Sequence, residues 1–237
     1  MPESTGPKRN LIEAALAHLP RASEAAQLAP LLFARPPAED LAPFEPAFLG
    51  KMAQVAQTLL AAHRSGASQI RVERSEAAAR LGEAVTLVTL VHDDMPFLFD
   101  SVTAAIAERA PAIHSVSHPV LDVARRPDGT LEGFSPARAE RTEGTERVSL
   151  IQVAIEPPAD PENERALERD LDSILREVAV TNRDHLAMRE RVEQAANEID
   201  ARAAGESDPT LAADEREGAA LLRWLCAENF IFLGLRD

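Results

Sequence analysis

The chain has 237 residues, 45% of them hydrophobic and 27% charged, which is enough for one sizeable core or two small ones. Its formal net charge is −14 and its pI about 4.9, so a phosphate backbone or an anionic membrane surface is repelled on average and nucleic acid is not an expected partner. The lone cysteine, Cys226, excludes an intrachain disulfide and a multi-thiolate zinc site. The opening stretch lacks the apolar core of a secretory signal and no run is long enough for a membrane span, so the expectation is a cytoplasmic protein.

In chain order, residues 1–9 read as a loose tail, Asn10 as the cap of a short helix to about His18, and Ser23 as the cap of another through Leu28, Leu31 and Leu32 to Phe33. After Pro36-Pro37, Pro46 opens a helix in which Phe48, Leu49, Met52, Val55, Ala56, Leu59 and Leu60 recur at helical spacing, a stripe that suits core or a subunit contact. Ser65-Gly66 ends it. Gln69 to Arg74 alternates as a short strand, and Gly82 marks a turn.

The run Val85 to Val91 is apolar and rich in β-branched residues, as in a strand buried on both faces at the middle of a sheet. The acidic turn His92-Asp93-Asp94-Met95-Pro96 follows, with Asp93 or Asp94 placed to cap a helix from about Pro96 to Arg109. Phe97, Leu98, Val102, Ala105 and Ile106 share one face of that helix.

Ile113 to Arg125 alternates as a strand whose Pro119 demands an edge or a bulge, and Asp128-Gly129 turns the chain toward a further short strand at Leu131 to Phe134. Ser135 to Thr145 reads as a mobile loop, and Val148 to Ile155 as a second buried strand. Asp160 and Pro161 then start a helix striped by Leu167, Leu171, Ile174, Leu175 and Val178. A kink is expected near Thr181-Asn182, and the next helical length, with Leu186, Val192, Ala196 and Ile199, has a thinner stripe suited to a partner. Gly205 to Thr210 reads as a linker. Asp214 is placed to cap a last helix with Leu221, Leu222, Trp224 and Leu225, before a strand from Phe230 to Leu235. The stop just after that strand reads as a cut from something longer.

The order β-α-β-β-α, with the first and third strands inner and the second outer, predicts an α+β, ferredoxin-like split βαβ sandwich. Either Gln69 to Arg74 or Phe230 to Leu235 could fill the open side of the Val85 strand. The expected organisation is a helical lead over 1–64, the sandwich over 65–180, and a helical arm with the start of a next domain over 181–237.

Asp93-Asp94-Met95-Pro96-Phe97-Leu98 with Asp100-Ser101, then His114 and His118-Pro119-Val120, resembles the amino-terminal region of the large bacterial NAD-specific glutamate dehydrogenases. The closing Phe230 to Arg236 is similar to a Phe-Leu-Gly-Tyr-Arg string of that family, with Leu235 at the tyrosine position. Where the family often has a glycine before the His114 strand, Pro111-Ala112 stand here. The resemblance covers roughly residues 30–237. It implies an ACT-type domain, a ferredoxin-like module that binds amino acids or mediates association in many metabolic enzymes, and a parent that oxidises L-glutamate to 2-oxoglutarate and ammonia with NAD.

No Gly-x-Gly-x-x-Gly string occurs among the ten glycines, so a dinucleotide site is not expected in this stretch. The family's catalysis implies lysines around the substrate, whereas the lysines here, Lys8 and Lys51, lie outside the sheet region. The expectation is therefore a noncatalytic regulatory or oligomerisation segment, with a homo-oligomer formed through its sandwich and helical surfaces.

By the resemblance, the strand-to-helix loop holds an amino-acid effector through Asp93, Asp94, Met95 and Phe97, with Asp94 receiving the ammonium and helix amides the carboxylate. The plainer alternative is that the aspartates only cap the helix. His114 and His118 fall on one strand face and, with His92 and Asp93, offer a conceivable metal set for a hydrolase, although no metal site is assigned. A free-standing amino-acid sensor is the other alternative. Cys226 beside Trp224 reads as a buried, inert thiol, and with no Gly-x-Ser-x-Gly elbow a nucleophilic mechanism is not expected.

Overall fold

A computed structural model describes residues 6–76, 83–140, 142–158, 160–230, 232 and 234. Residues through Leu175 form one compact unit, and those from Arg176 onward a second. The turn expected at Gly82 lies outside the described residues, as do Ile231, Leu233 and Leu235 of the expected last strand.

The first unit is built on an antiparallel sheet. Its strands are β1 (Gln69–Ser75), β2 (Val85–Asp93), β3 (Ile113–Ser117), β4 (Val120–Arg125), β5 (Leu131–Pro136) and β6 (Thr145–Ile155). Along the sheet they run β1-β2-β6-β4-β5, with β3 also paired to β6. β2 and β6 are the inner pair, in register from Thr86↔Ile155 to Asp93↔Val148. β1 fills the open side of β2. The Val116↔Val153 register of β3 carries on into Val120↔Ser149 of β4, so the two are one strand interrupted where Pro119 lacks an amide hydrogen. That strand is not outermost, because the turn at Asp128-Gly129 returns the chain as β5 along the far side of β4.

Because successive strand residues face opposite ways, β2 and β6 present apolar residues to both sides. Leu87, Val91, Val148, Leu150 and Ala154 join one core with helices α1 (Gly6–Leu16), α2 (Glu24–Leu32), α3 (Ala38–Leu41) and α4 (Pro46–Ala62). Val88, Leu90, Ile151, Val153 and Ile155 join the other with α5 (Leu98–Arg109) and the first part of α6 (Pro161–Gly205), through Leu98, Val102, Ile106, Leu167, Leu171 and Leu175. The α4 stripe is thus core. The helical lead and the sheet belong to the same compact unit. At Gly50 a Cβ would come within 3.1 Å of the His18 Cβ and 3.2 Å of the Ala15 carbonyl oxygen, so glycine lets α4 pass close to the end of α1.

Several local expectations are corrected. α1 begins at Gly6, so Asn10 lies within it and does not cap it. Ser23 does cap α2, its Oγ accepting from the Ala26 amide at 3.2 Å. α6 runs 45 residues without a break. The Thr181 hydroxyl and Asn182 amide donate to the carbonyls of Glu177 and Val178 one turn back, so both residues are accommodated inside the helix. In the second unit α7 (Pro209–Trp224) is capped by Asp208, whose carboxylate accepts from the Thr210 amide at 2.8 Å, and Asp214 lies inside the helix. Arg202 pairs with Glu215, and Arg223 with Asp200, joining α6 to α7. A π-helical turn, Leu225–Asn229, follows and contains the buried Cys226.

Since Leu87 and Leu90 are both fully buried but on opposite faces, Leu87→Ala and Leu90→Ala should each cost about 2–5 kcal/mol. Urea unfolding measures both. A sheet covered on one face only would be sensitive to one of them.

Candidate functional site

The loop from β2 to α5 lies at the end of the inner strand pair, and its two aspartates are sent to opposite faces. Asp93, the last residue of β2, sits on the α4 side. Its Oδ2 accepts from the Gly66 amide at 2.7 Å and the Ser65 hydroxyl at 3.0 Å, and its Oδ1 lies 3.4 Å from Nε2 of the fully buried His63. Asp94 lies on the α5 side, where its Oδ1 accepts from the Ser149 hydroxyl at 2.5 Å and its amide donates to the Arg147 carbonyl. The capping expectation is therefore corrected, because both carboxylates are held by other elements and neither caps α5. The N-cap of α5 is Phe97, in the left-handed region at φ 66°, with no side chain bonded to the helix amides. A bulky residue there stores strain on the order of 1–3 kcal/mol.

His118 completes this corner. Its ring stacks on Phe99 at 4.5 Å with planes 4° apart, and its Nε2 lies 3.1 Å from the Ser149 Oγ. With the serine hydroxyl donating to Asp94, the facing histidine nitrogen is the donor, giving a relay His118 to Ser149 to Asp94. Ser149 is fully buried and its proton is directed at the carboxylate, so the trio lacks the polarity of a nucleophilic serine. Burial holds the His118 pKa below the usual histidine value, with Arg35 adding to the effect and Asp94 and Asp100 opposing it. Burial likewise lowers His63, against the pull of Asp93. Beside the loop, the buried Asp122 accepts from Arg147 Nε at 3.2 Å and from the Arg138 amide at 3.3 Å.

Met95 packs, half-buried, against the α5-side core, and Asp94 is exposed. The loop thus brings Asp94, Met95 and Phe97 to one corner and turns Asp93 away to α4. His114 stands exposed on β3, unpaired where the register shifts between Ile113 and Ser115, whereas His118 is half-buried against Phe99. His92 is buried, with its Nδ1 3.1 Å from the Asp93 carbonyl oxygen. Among the described residues no three His, Cys, Asp or Glu side chains are gathered as a metal set. Lys8 donates to the Ala34 carbonyl at 2.6 Å and Lys51 pairs with Glu73 at 2.8 Å, so both lysines are held in structural contacts.

Two of the clefts among the described residues lie elsewhere. One of about 340 Å³ is lined by Ser68, Gln69, Ile70, Glu168, Arg169 and Asp172. The other, of about 390 Å³ in the second unit, includes Val180, Met188 and Arg191. Sequence reasoning missed His63, Ser149 and Phe99. Ser149 carried a usable signal, a polar residue inside the apolar run Val148 to Ile155, and the register places it opposite His92.

Residues 28–171 match the family described as glutamate dehydrogenase, ACT1 domain. The chain belongs to that family. Its relatives include NAD-specific glutamate dehydrogenases from Halomonas elongata (35% identical over 63% of this chain), Mycobacterium tuberculosis (33% over 80%) and Pseudomonas aeruginosa (30% over 64%). These matches span 9%, 11% and 9% of those much longer proteins, respectively.

The lowered histidines give a pH dependence. Their neutral forms are favoured by folding, so between the folded value and the ordinary 6.5 the unfolded chain binds more protons. Their stabilisation is complete above about 6.5 and is lost as the pH falls through that window toward the folded values. Urea midpoints should therefore drop from pH 7.5 to 5.5. His63→Leu should shrink that drop without abolishing it, because His118 still titrates.

Proposed function

We propose that this segment is noncatalytic and serves its parent enzyme as an amino-acid-responsive, self-associating ACT module of ferredoxin-like topology. The strand order supports the topology: β2, α5 and the interrupted β3–β4 strand form a split βαβ with β6 between the two strands, and β1 takes the fourth place although it precedes them in the chain. The parent's reaction in this reading is L-glutamate, NAD and water going to 2-oxoglutarate, ammonia and NADH in the cytoplasm.

The NAD site belongs to another part of that enzyme. A pyrophosphate needs a glycine turn that lets backbone amides approach, and the β2–α5 loop offers two carboxylates and no glycine. No helix among the described residues is long and apolar enough to cross a membrane.

The observation that carries the effector reading is the corner at Asp94. One of its oxygens is fixed by Ser149 while the residue remains exposed, so a carboxylate is held ready for an ammonium group. The Leu98 amide at the start of α5 already donates to the Met95 carbonyl, but the next amides, of Phe99 and Asp100, meet no cap from the Phe97 side chain and can receive a carboxylate, and Phe97 and Met95 frame the loop with apolar surface. An α-amino acid has this pair of charges at this spacing. The strain at Phe97 is consistent with a loop shaped for binding.

Calorimetric titration of the chain with a panel of amino acids should give saturable heat for one or a few of them. Asp94→Ala should weaken that binding at least about tenfold, the loss expected when a charge-assisted contact goes. Silence across the panel would remove the effector reading and leave association.

A further inference from the structure

The two edges of the sheet are unlike. β5 ends in Pro136, contains Gly133, and meets β4 through a register shift between Ala124 and Arg125, all devices that discourage a further strand. β1 has none of them. It pairs with β2 in unbroken register from Gln69↔Val91 to Ser75↔Val85, carries no proline or glycine, and ends the sheet among the described residues. None of its residues is fully buried, in contrast to the eight buried residues at the start of β2. A straight edge of this kind is a template for another strand.

The side chains of β1 indicate which strand. If two copies of β1 meet antiparallel with Val72 on the two-fold axis, Arg71 of each lies directly opposite Glu73 of the other, on the same face. Within one chain Arg71 is only loosely paired with Glu73, its Nη1 lying 3.9 Å from the Glu73 Oε2, while the other Glu73 oxygen is held by Lys51 at 2.8 Å. Arg71 is 46% exposed and free to turn outward. On the other face Val72 meets Val72, adding apolar contact beside the half-buried Ile70. A chain of net charge −14 repels its own copies on average, so association needs local complementarity of this kind.

We propose that β1 is a homotypic docking edge: two copies of the chain join their sheets through β1, in the register centred on Val72, with reciprocal Arg71–Glu73 pairs. This deepens the association half of the reading above and does not depend on whether an amino acid binds.

Sedimentation of the chain over a concentration series, with a charge-swap cycle, tests it. The unaltered chain should form a dimer. Arg71→Glu sets two carboxylates opposite each other at both ends of the contact and should weaken the dimer at least about tenfold, while Arg71→Glu with Glu73→Arg should restore it. Thermal unfolding at high dilution controls for damage beside Lys51. As a measurement independent of charge, Val72→Cys in a Cys226→Ser background should give a disulfide-linked dimer under mild oxidation, because opposed residues of antiparallel strands lie within disulfide reach. A dimer that ignores Arg71→Glu and yields no cross-link overturns the strand pairing and leaves association standing. A chain that stays monomeric and uncross-linked at every concentration overturns both.

Discussion

The antiparallel pairing of β2 with β6 is the constraint on which the rest of the molecule depends. Both strands are buried on both faces, so their side chains belong to two cores at once, and every helix of the first unit is placed by the face it covers. A one-residue slip of either strand would exchange the two sets of side chains. Polar residues help to fix the register. Gln152 donates to the Thr89 hydroxyl at 2.9 Å and to the Met52 carbonyl at 3.1 Å, joining β6, β2 and α4 inside an otherwise apolar layer. Thr86 on the opposite face donates to Glu164 at the start of α6. Moving the register by one residue would leave these buried groups without partners, which costs more than the bonds themselves contribute.

This pairing was largely legible in the sequence because continuous apolar β-branched runs at Val85–Val91 and Val148–Ile155 have few alternatives to a doubly covered strand. Less legible was what covered each face. The α4 stripe announced that it needed a partner, but a stripe is the same whether it meets a sheet of its own chain or another subunit. Helix starts were read wrongly wherever a good capping residue lay near a boundary without capping it. Asn10 and Asp214 have the right chemistry in the wrong place, while Asp208, two residues from Thr210, does the work before Asp214 is reached.

The acidic loop shows the same limit more sharply. An aspartate before a helix is read as a cap because the nearest amides in sequence are the helix's own. Here the competing donors, Ser65, Gly66 and Ser149, come from segments far along the chain, and no local rule announces them. Their arrangement follows from strand geometry once the register is known. His92 is paired with Ser149 and Asp93 with Val148, so adjacent residues at the strand end point to opposite layers.

That alternation gives the Asp93-Asp94 pair a structural meaning that neither residue has alone. Asp93 ties the loop to the end of α4 through Ser65, Gly66 and His63, and Asp94 ties it to the layer of α5 through Ser149 and His118. The loop is therefore clamped from both faces of the sheet, and its conformation, including the left-handed Phe97, is over-determined by contacts on each side. The Ser149 hydroxyl is shared in this way between the loop and the ring of His118, donating to Asp94 and facing the histidine Nε2. A corner built this way joins the packing on both faces without a hinge, because the two anchors are consecutive residues of one strand end.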